Sequence, residues 1–293
     1  MAGLFAVFRW LPRRLARALG AGLACFLYIG HHRWRRIAEI NLRLAFPEKS
    51  ATERARILRR AFRQWGWLAA EFARFPRHMA QTIEEVIIYD GFENYAAAAA
   101  RGKGVLYLTA HFSAWELSSF AHSLHGHALS YVSRPLDNGR VDALVNRYRC
   151  LGGNRAIDRR QAARAILETL RRGGAVGVLM DQNVVTSDPH VFADFFGVPA
   201  STTPGLARFA LRTGAAVVPV FVLWDEKLGK YRLRFDPALE LARTGDTDRD
   251  VAENTARFNR VLEDYVRRYP EQWLWVHRRW ATRPPGEPPL YPA

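Results

Sequence analysis

Cysteine is nearly absent from this chain, with 2 in 293 residues, Cys25 and Cys150. So few thiols, in no metal-binding spacing, exclude a disulfide framework and a zinc ribbon and suit a reducing compartment. Also missing is any apolar run of the roughly 20 residues that cross a bilayer. Ala18 to Gly30 (ALGAGLACFLYIG), uncharged throughout, is only about two thirds of that length, and no small-residue cleavage site follows it to mark a removed signal peptide. There is no internal repeat, low-complexity array or linker. A 49% hydrophobic content is ample for a core, so one domain with helical additions is expected.

Acidic residues are scarce relative to basic ones, 28 against 43, giving a net charge of +15. Such a surplus implies an acidic partner: nucleic acid, an anionic membrane face or an acidic protein. Nucleic acid is disfavoured, because there is no zinc spacing or RNP-type aromatic motif and the arginines are spread among apolar segments. Arg9, Arg13, Arg14 and Arg17 precede the run Ala18 to Gly30, and His31 to Arg36 (HHRWRR) follows it. Residues 1–36 therefore read as a basic, apolar membrane-anchoring segment, a helix in or dipping into the inner leaflet and held by its arginines on anionic lipid. A buried core helix is the bland alternative.

Residues 37–293 read as the single folded domain. Ile37 to Phe46 and Ala51 to Phe75 predict helices, divided by Pro47 and ended by Pro76. Trp65, Trp67, Leu68, Phe72 and Phe75 give the second an aromatic surface suited to the core, with some lipid contact expected. Ile83 to Tyr89 predicts a strand and Phe92 to Ala100 a short helix. Strands at 105–109, 128–133 and 175–180 alternate with helices at 141–151, 159–172 and 203–212. Strands at 216–224 and 230–236 and a long helix at 248–269 complete the pattern. This alternation predicts an α/β fold, a mixed, largely parallel sheet flanked by helices.

One stretch organises the rest: Lys103 to Leu117, KGVLYLTAHFSAWEL. Val105 to Thr109 is apolar on both faces, as a buried parallel strand is. From Ser113 to Leu124 the period becomes helical, so His111 falls just past the carboxyl end of a strand, where open α/β sheets bind ligands. Glu116 lies five positions on, and five helical positions turn through about 140°. The two converge only if His111 precedes the first turn. Ser113 to Glu116 equally fits a capping box, in which Glu116 satisfies backbone donors instead. With 9 His and 28 acidic residues, about one such pair arises by chance, so context rather than spacing carries the claim. Arg134 and Asp181 also follow apolar strands. If those strands are parallel neighbours, a base, a cation and a carboxylate gather at one edge, a set suited to acyl or phosphoryl transfer.

With these blocks in hand, the chain resembles the bacterial lipid A late acyltransferases within the lysophospholipid acyltransferase superfamily, over about residues 41–283. The matching blocks are Asn41 to Pro47 (NLRLAFP), GKGVLYLTAHFSAWEL, Ser133 to Leu136 (SRPL), Asp181-Gln182, Phe195 to Ala200 (FFGVPA), Val218-Pro219-Val220, and Pro270 to Trp275 (PEQWLW) with His277 to Trp280 (HRRW). Such proteins usually read HFGNWE where this chain reads HFSAWE, so a methyl at Ala114 replaces a side-chain amide.

The resemblance implies a glycerolipid acyltransferase-like fold and an inner-membrane enzyme whose site faces the cytoplasm. It would transfer a fatty acyl chain from acyl carrier protein to a hydroxyl of a lipid A precursor, with no metal or other cofactor. His111 would act as general base, with Glu116 holding the imidazole in the HxxxxE motif. Backbone donors or Arg134 would stabilise the oxyanion, and Arg159 would hold a phosphate of the glycolipid acceptor. Asp181, with Gln182 beside it, would either orient His111 or bind the sugar. Acylation of another membrane acceptor, a lysophospholipid or a mannosylated inositol lipid, is the nearest alternative.

Overall fold

The computed structural model describes residues 2–133, 136–158 and 162–292. Four helices open the chain: α1 (Ala2–Trp10), α2 (Arg13–Gly30), α3 (His32–Ala45) and α4 (Ala51–Ala73). The start of α4 is fixed by a capping box, the Ser50 backbone N–H donating to Glu53 at 2.8 Å and the Glu53 N–H to Ser50 Oγ at 3.3 Å. Then come β1 (Ile87–Asp90), α5 (Phe92–Ala99), β2 (Val105–Thr109), α6 (Glu116–Leu124), β3 (Leu129–Ser133), α7 (Gly139–Arg149) and β4 (Arg155–Asp158). The remainder is α8 (Ala162–Arg171), β5 (Ala175–Leu179), a hairpin of β6 (Val191–Phe195) and β7 (Val198–Thr202), α9 (Gly205–Thr213), β8 (Ala216–Asp225), β9 (Lys230–Phe235) and α10 (Thr247–Arg268).

A 7-stranded sheet runs in the order β1-β9-β8-β2-β5-β3-β4. Every neighbouring pair is parallel except β8 with β9, so the expected mixed, largely parallel α/β sheet is what forms. Both faces are covered. Leu106 and Leu108 of β2 enter a core with α9 and α10, while Val105 and Tyr107 enter another with α6. A strand apolar on both sides is thereby explained.

Several boundaries differ from the sequence reading. Ile83–Glu85 is a 3-10 turn rather than strand, and α6 begins at Glu116 rather than Ser113. Strand β4 and the hairpin β6–β7 were unread, because Arg155 to Asp158 is short and polar and Gly197-Val198-Pro199 reads as loop. Helix α2 extends back to include the arginines, and α3 starts at His32.

The N-terminal arginines are a correction. Arg13 pairs with the buried Glu71 at 2.8 Å, and Arg17 lies 3.8 Å from the ring centres of both Trp67 and Trp224. These two face inward and bind protein, not lipid. Helix α2 lies hard against α4 at Gly20 and Gly66, where a Cβ on Gly20 would stand 2.2 Å from the Gly66 carbonyl oxygen. On its outer side Leu15, Leu19, Leu23, Phe26 and Leu27 are exposed at helical spacing, continued on α1 by Leu4, Val7 and Trp10. No helix among the described residues is long and apolar enough to cross a membrane.

Candidate active site

Strands β2 and β5 are parallel neighbours with Thr109 opposite Leu179. The residues that follow them, His111 and Asp181, are therefore brought side by side at the carboxyl edge of the sheet. His111 Nδ1 lies 2.8 Å from Asp181 Oδ1, and the His111 backbone N–H donates to Asp181 Oδ2 at 3.0 Å. Oδ2 also accepts from Trp273 Nε1 at 2.8 Å. The carboxyl is buried. Burial is the largest influence on it and would raise its pKa, but the charge of His111 and the hydrogen bonds from His111 and Trp273 together outweigh it and hold the pKa at about 2.

This carboxylate fixes the tautomer. Nδ1 carries the proton donated to Asp181, leaving the Nε2 lone pair to face outward, where Gln182 Nε2 stands 3.3 Å away. The ring edge also meets Trp115, with centroids 5.0 Å apart.

The backbone of His111 is clamped by a strap after α10. Leu274 N–H donates to the His111 carbonyl at 3.2 Å, and Ser113 N–H donates to the Gln272 carbonyl at 2.5 Å. Asn41 holds the strap from behind, its amide donating to the carbonyls of Trp275 and His277 at 2.7 Å each. Arg279, fully buried, donates to Ser201 O and Thr202 Oγ1 at 2.7 Å each. The NLRLAFP and WLWVHRRW segments, far apart in sequence, thus form one support.

Glu116 departs from its expected role. It does not hydrogen-bond the imidazole; Arg149 Nε donates to its two oxygens at 3.1 and 2.9 Å, and the Arg149 terminal nitrogen makes a third contact. Nor does it form the capping box. Ser113 takes a left-handed φ of 51°, its hydroxyl is buried without a partner, and α6 starts three residues later. The left-handed turn is what sends the helix away from His111, so Glu116 lines the same cavity from another side. Of the two roles left open for Asp181, orientation of His111 is the one its hydrogen bonds match.

Arg134 and Arg159 lie outside the described residues. Arg149 is a site residue that the sequence does not single out, because nothing local says that the last turn of α7 faces Glu116. Trp273 lies in the PEQWLW block, and the signal that marks it is an indole N–H that needs an acceptor when buried.

His111, Glu116, Arg149 and Gln182 line one cavity of about 580 Å³, which continues over Tyr107, Gly177 and Tyr131. That volume is in the range of small-molecule sites. The β3–β5 ladder stops at Tyr131 opposite Gly177, although both strands run on. The cavity occupies the crevice where they part.

The family model for bacterial lipid A biosynthesis acyltransferases matches residues 1–282. The chain is 30% identical over 292 residues to the lipid A biosynthesis palmitoleoyltransferase of Escherichia coli K12, covering 99% of this chain and 93% of that one. It is 31% identical over 287 residues to the lauroyltransferase of the same organism, covering 96% and 90%. To its myristoyltransferase it is 27% identical over 253 residues, covering 86% and 77%.

Proposed function

The chain belongs to the bacterial lipid A biosynthesis acyltransferase family, and on that premise we propose that it moves a fatty acyl chain from acyl carrier protein to a hydroxyl of a lipid A precursor, with His111 as general base. The observation that carries the assignment of the base is the 2.8 Å contact from His111 Nδ1 to the buried Asp181, which engages Nδ1 and leaves Nε2 as the ring nitrogen available in the cavity that His111 lines. An alcohol is a poor nucleophile at neutral pH and needs a base within hydrogen-bond reach. The acceptor hydroxyl displaces Gln182 from Nε2 and gives its proton there as its oxygen attacks the thioester carbonyl. Asp181 steadies the imidazolium that forms. The carbon–sulfur bond then breaks, the leaving thiolate takes the proton from Nε2, and an ester remains. Glu116 and Arg149 shape the opposite wall as a charge pair, and a phosphate of the acceptor is proposed for Arg159. Arg134 is proposed as an oxyanion donor.

The exposed apolar stripe of α1 and α2 is proposed to lie in the cytoplasmic face of the inner membrane, with Arg14 and Arg33, both exposed, facing anionic lipid. In this role α2 is an interfacial helix. The large basic excess also suits the acidic carrier protein.

The test is transfer of labelled acyl chain from acyl carrier protein to a tetra-acylated lipid A precursor by detergent-purified protein, beside His111→Ala. Product that vanishes in the variant supports both reaction and base. Absence of product from folded wild type, with lysophospholipids accepted instead, replaces the acceptor while keeping the base.

A further inference from the structure

An acyl transfer site must house a hydrocarbon chain next to its base. Parallel register sets Tyr107, Gly177 and Tyr131 in one row across β2, β5 and β3, on the face where α6 packs. The next row toward the strand N-termini, Val105, Ala175 and Leu129, is at least 94% buried and closes that direction. From the floor at Ala175 to Leu179 near the His111 edge, β5 rises about 13 Å.

Gly177 is the gap in the row. Its φ is not left-handed, so the backbone does not require glycine. A Cβ there would meet only Leu129 Cδ1, at an ordinary 3.6 Å. What the missing side chain leaves is room.

The larger polar groups along this arm are already engaged. Tyr107 OH bonds His122 Nε2 at 2.8 Å, Tyr131 OH bonds Cys150 Sγ at 3.7 Å, Ser118 Oγ donates to the Trp115 carbonyl at 2.7 Å, and Glu116 is paired with Arg149. A pocket whose larger polar groups are engaged with one another takes an apolar guest. We infer that the acyl chain runs from His111 beneath α6 and over Gly177, and that Leu129 ends it. Gly177 and Leu129 together then set the length of chain transferred. This inference rests on the acyltransferase reading, and its test separates the two.

The experiment measures binding of free fatty acids from octanoate to palmitate, and transfer of the same chains from acyl carrier protein, for wild type, Gly177→Val, Leu129→Ala and Phe209→Ala. Phe209 lines the cavity from α9, on the opposite face of the sheet. Affinity should rise about fourfold per methylene until the chain meets Leu129, then level off. Gly177→Val should move that point to a shorter chain, costing the longer ones about tenfold or more and sparing the shorter, whose retained binding shows the variant is folded. Leu129→Ala should move it the other way, and answers independently if Gly177→Val does not fold. An unmoved levelling point in both variants, or one moved only by Phe209→Ala, overturns the inference. Graded binding without transfer by wild type overturns the acyltransferase reading and leaves the chain site standing.

Discussion

Asp181 grips His111 twice, one carboxylate oxygen on the imidazole at 2.8 Å and the other on the backbone N–H at 3.0 Å. Ring orientation and backbone position are therefore set by the same buried group. Asp181→Asn can keep the fold while its amide favours the wrong imidazole tautomer. A loss in kcat of about 10³-fold or more is expected, with KM little changed. Trp273→Phe removes one donor to the carboxylate and keeps the ring. It should cost about tenfold in kcat, roughly the worth of one hydrogen bond to a charged group, and steady-state kinetics with folded variants check both.

Glu116 and Arg149 act as one unit. Either truncation leaves a partner charge in a mostly buried wall, so Glu116→Gln and Arg149→Met should each impair transfer strongly, while the double variant does little worse than either single one. A double-mutant cycle on stability should give a coupling of about 1 to 2 kcal/mol, discounted for partial exposure. Additive losses would mean that the pair seen at 2.9 Å is energetically idle.

Acid should unfold the protein in two stages. Burial is the main cause holding His277 at about 4 and His122 at about 3, below the ordinary value near 6.5. Each binds its proton more readily when unfolded, so the stability that each supports is complete above about pH 6.5 and is lost as pH falls toward the folded values. Asp181, lowered to about 2, contributes stability present above about pH 4 and lost as pH falls through 2. Urea midpoints measured from pH 7 to 2 should fall in the first range for wild type and Asp181→Asn alike, and in the second more steeply for wild type.

Ser113 carries two local costs, a left-handed backbone and a buried hydroxyl with no partner. Ser113→Gly should relieve both, raising stability by about 1 kcal/mol. Thermal or urea unfolding reads this directly, and a lowered midpoint would mean that the hydroxyl has a partner.

Much of this arrangement was legible beforehand. The strand at Val105 to Thr109, the position of His111 beyond it and that of Asp181 beyond another strand follow from apolar runs that end in chemistry. What could not be read was which carboxylate takes the imidazole. Glu116 is near in sequence, Asp181 far, and the choice turns on sheet order and on one left-handed residue, Ser113. Periodicity encodes neither. Likewise Arg13 and Arg17 look like lipid anchors beside an apolar run, and only the packing of α2 against α4 turns them toward Glu71 and Trp224.

The strap from Gln272 to Leu274 has a consequence for biosynthesis. Chains emerge N-terminus first and their early segments begin to fold as they leave the ribosome. His111 emerges early, yet the groups that pin its carbonyl and complete the bonding of Asp181 are Leu274 and Trp273. During translation the apolar helices α1 and α2 are complete long before that support exists, so the paired geometry of His111 and Asp181 is finished only after residues 272–274 have emerged.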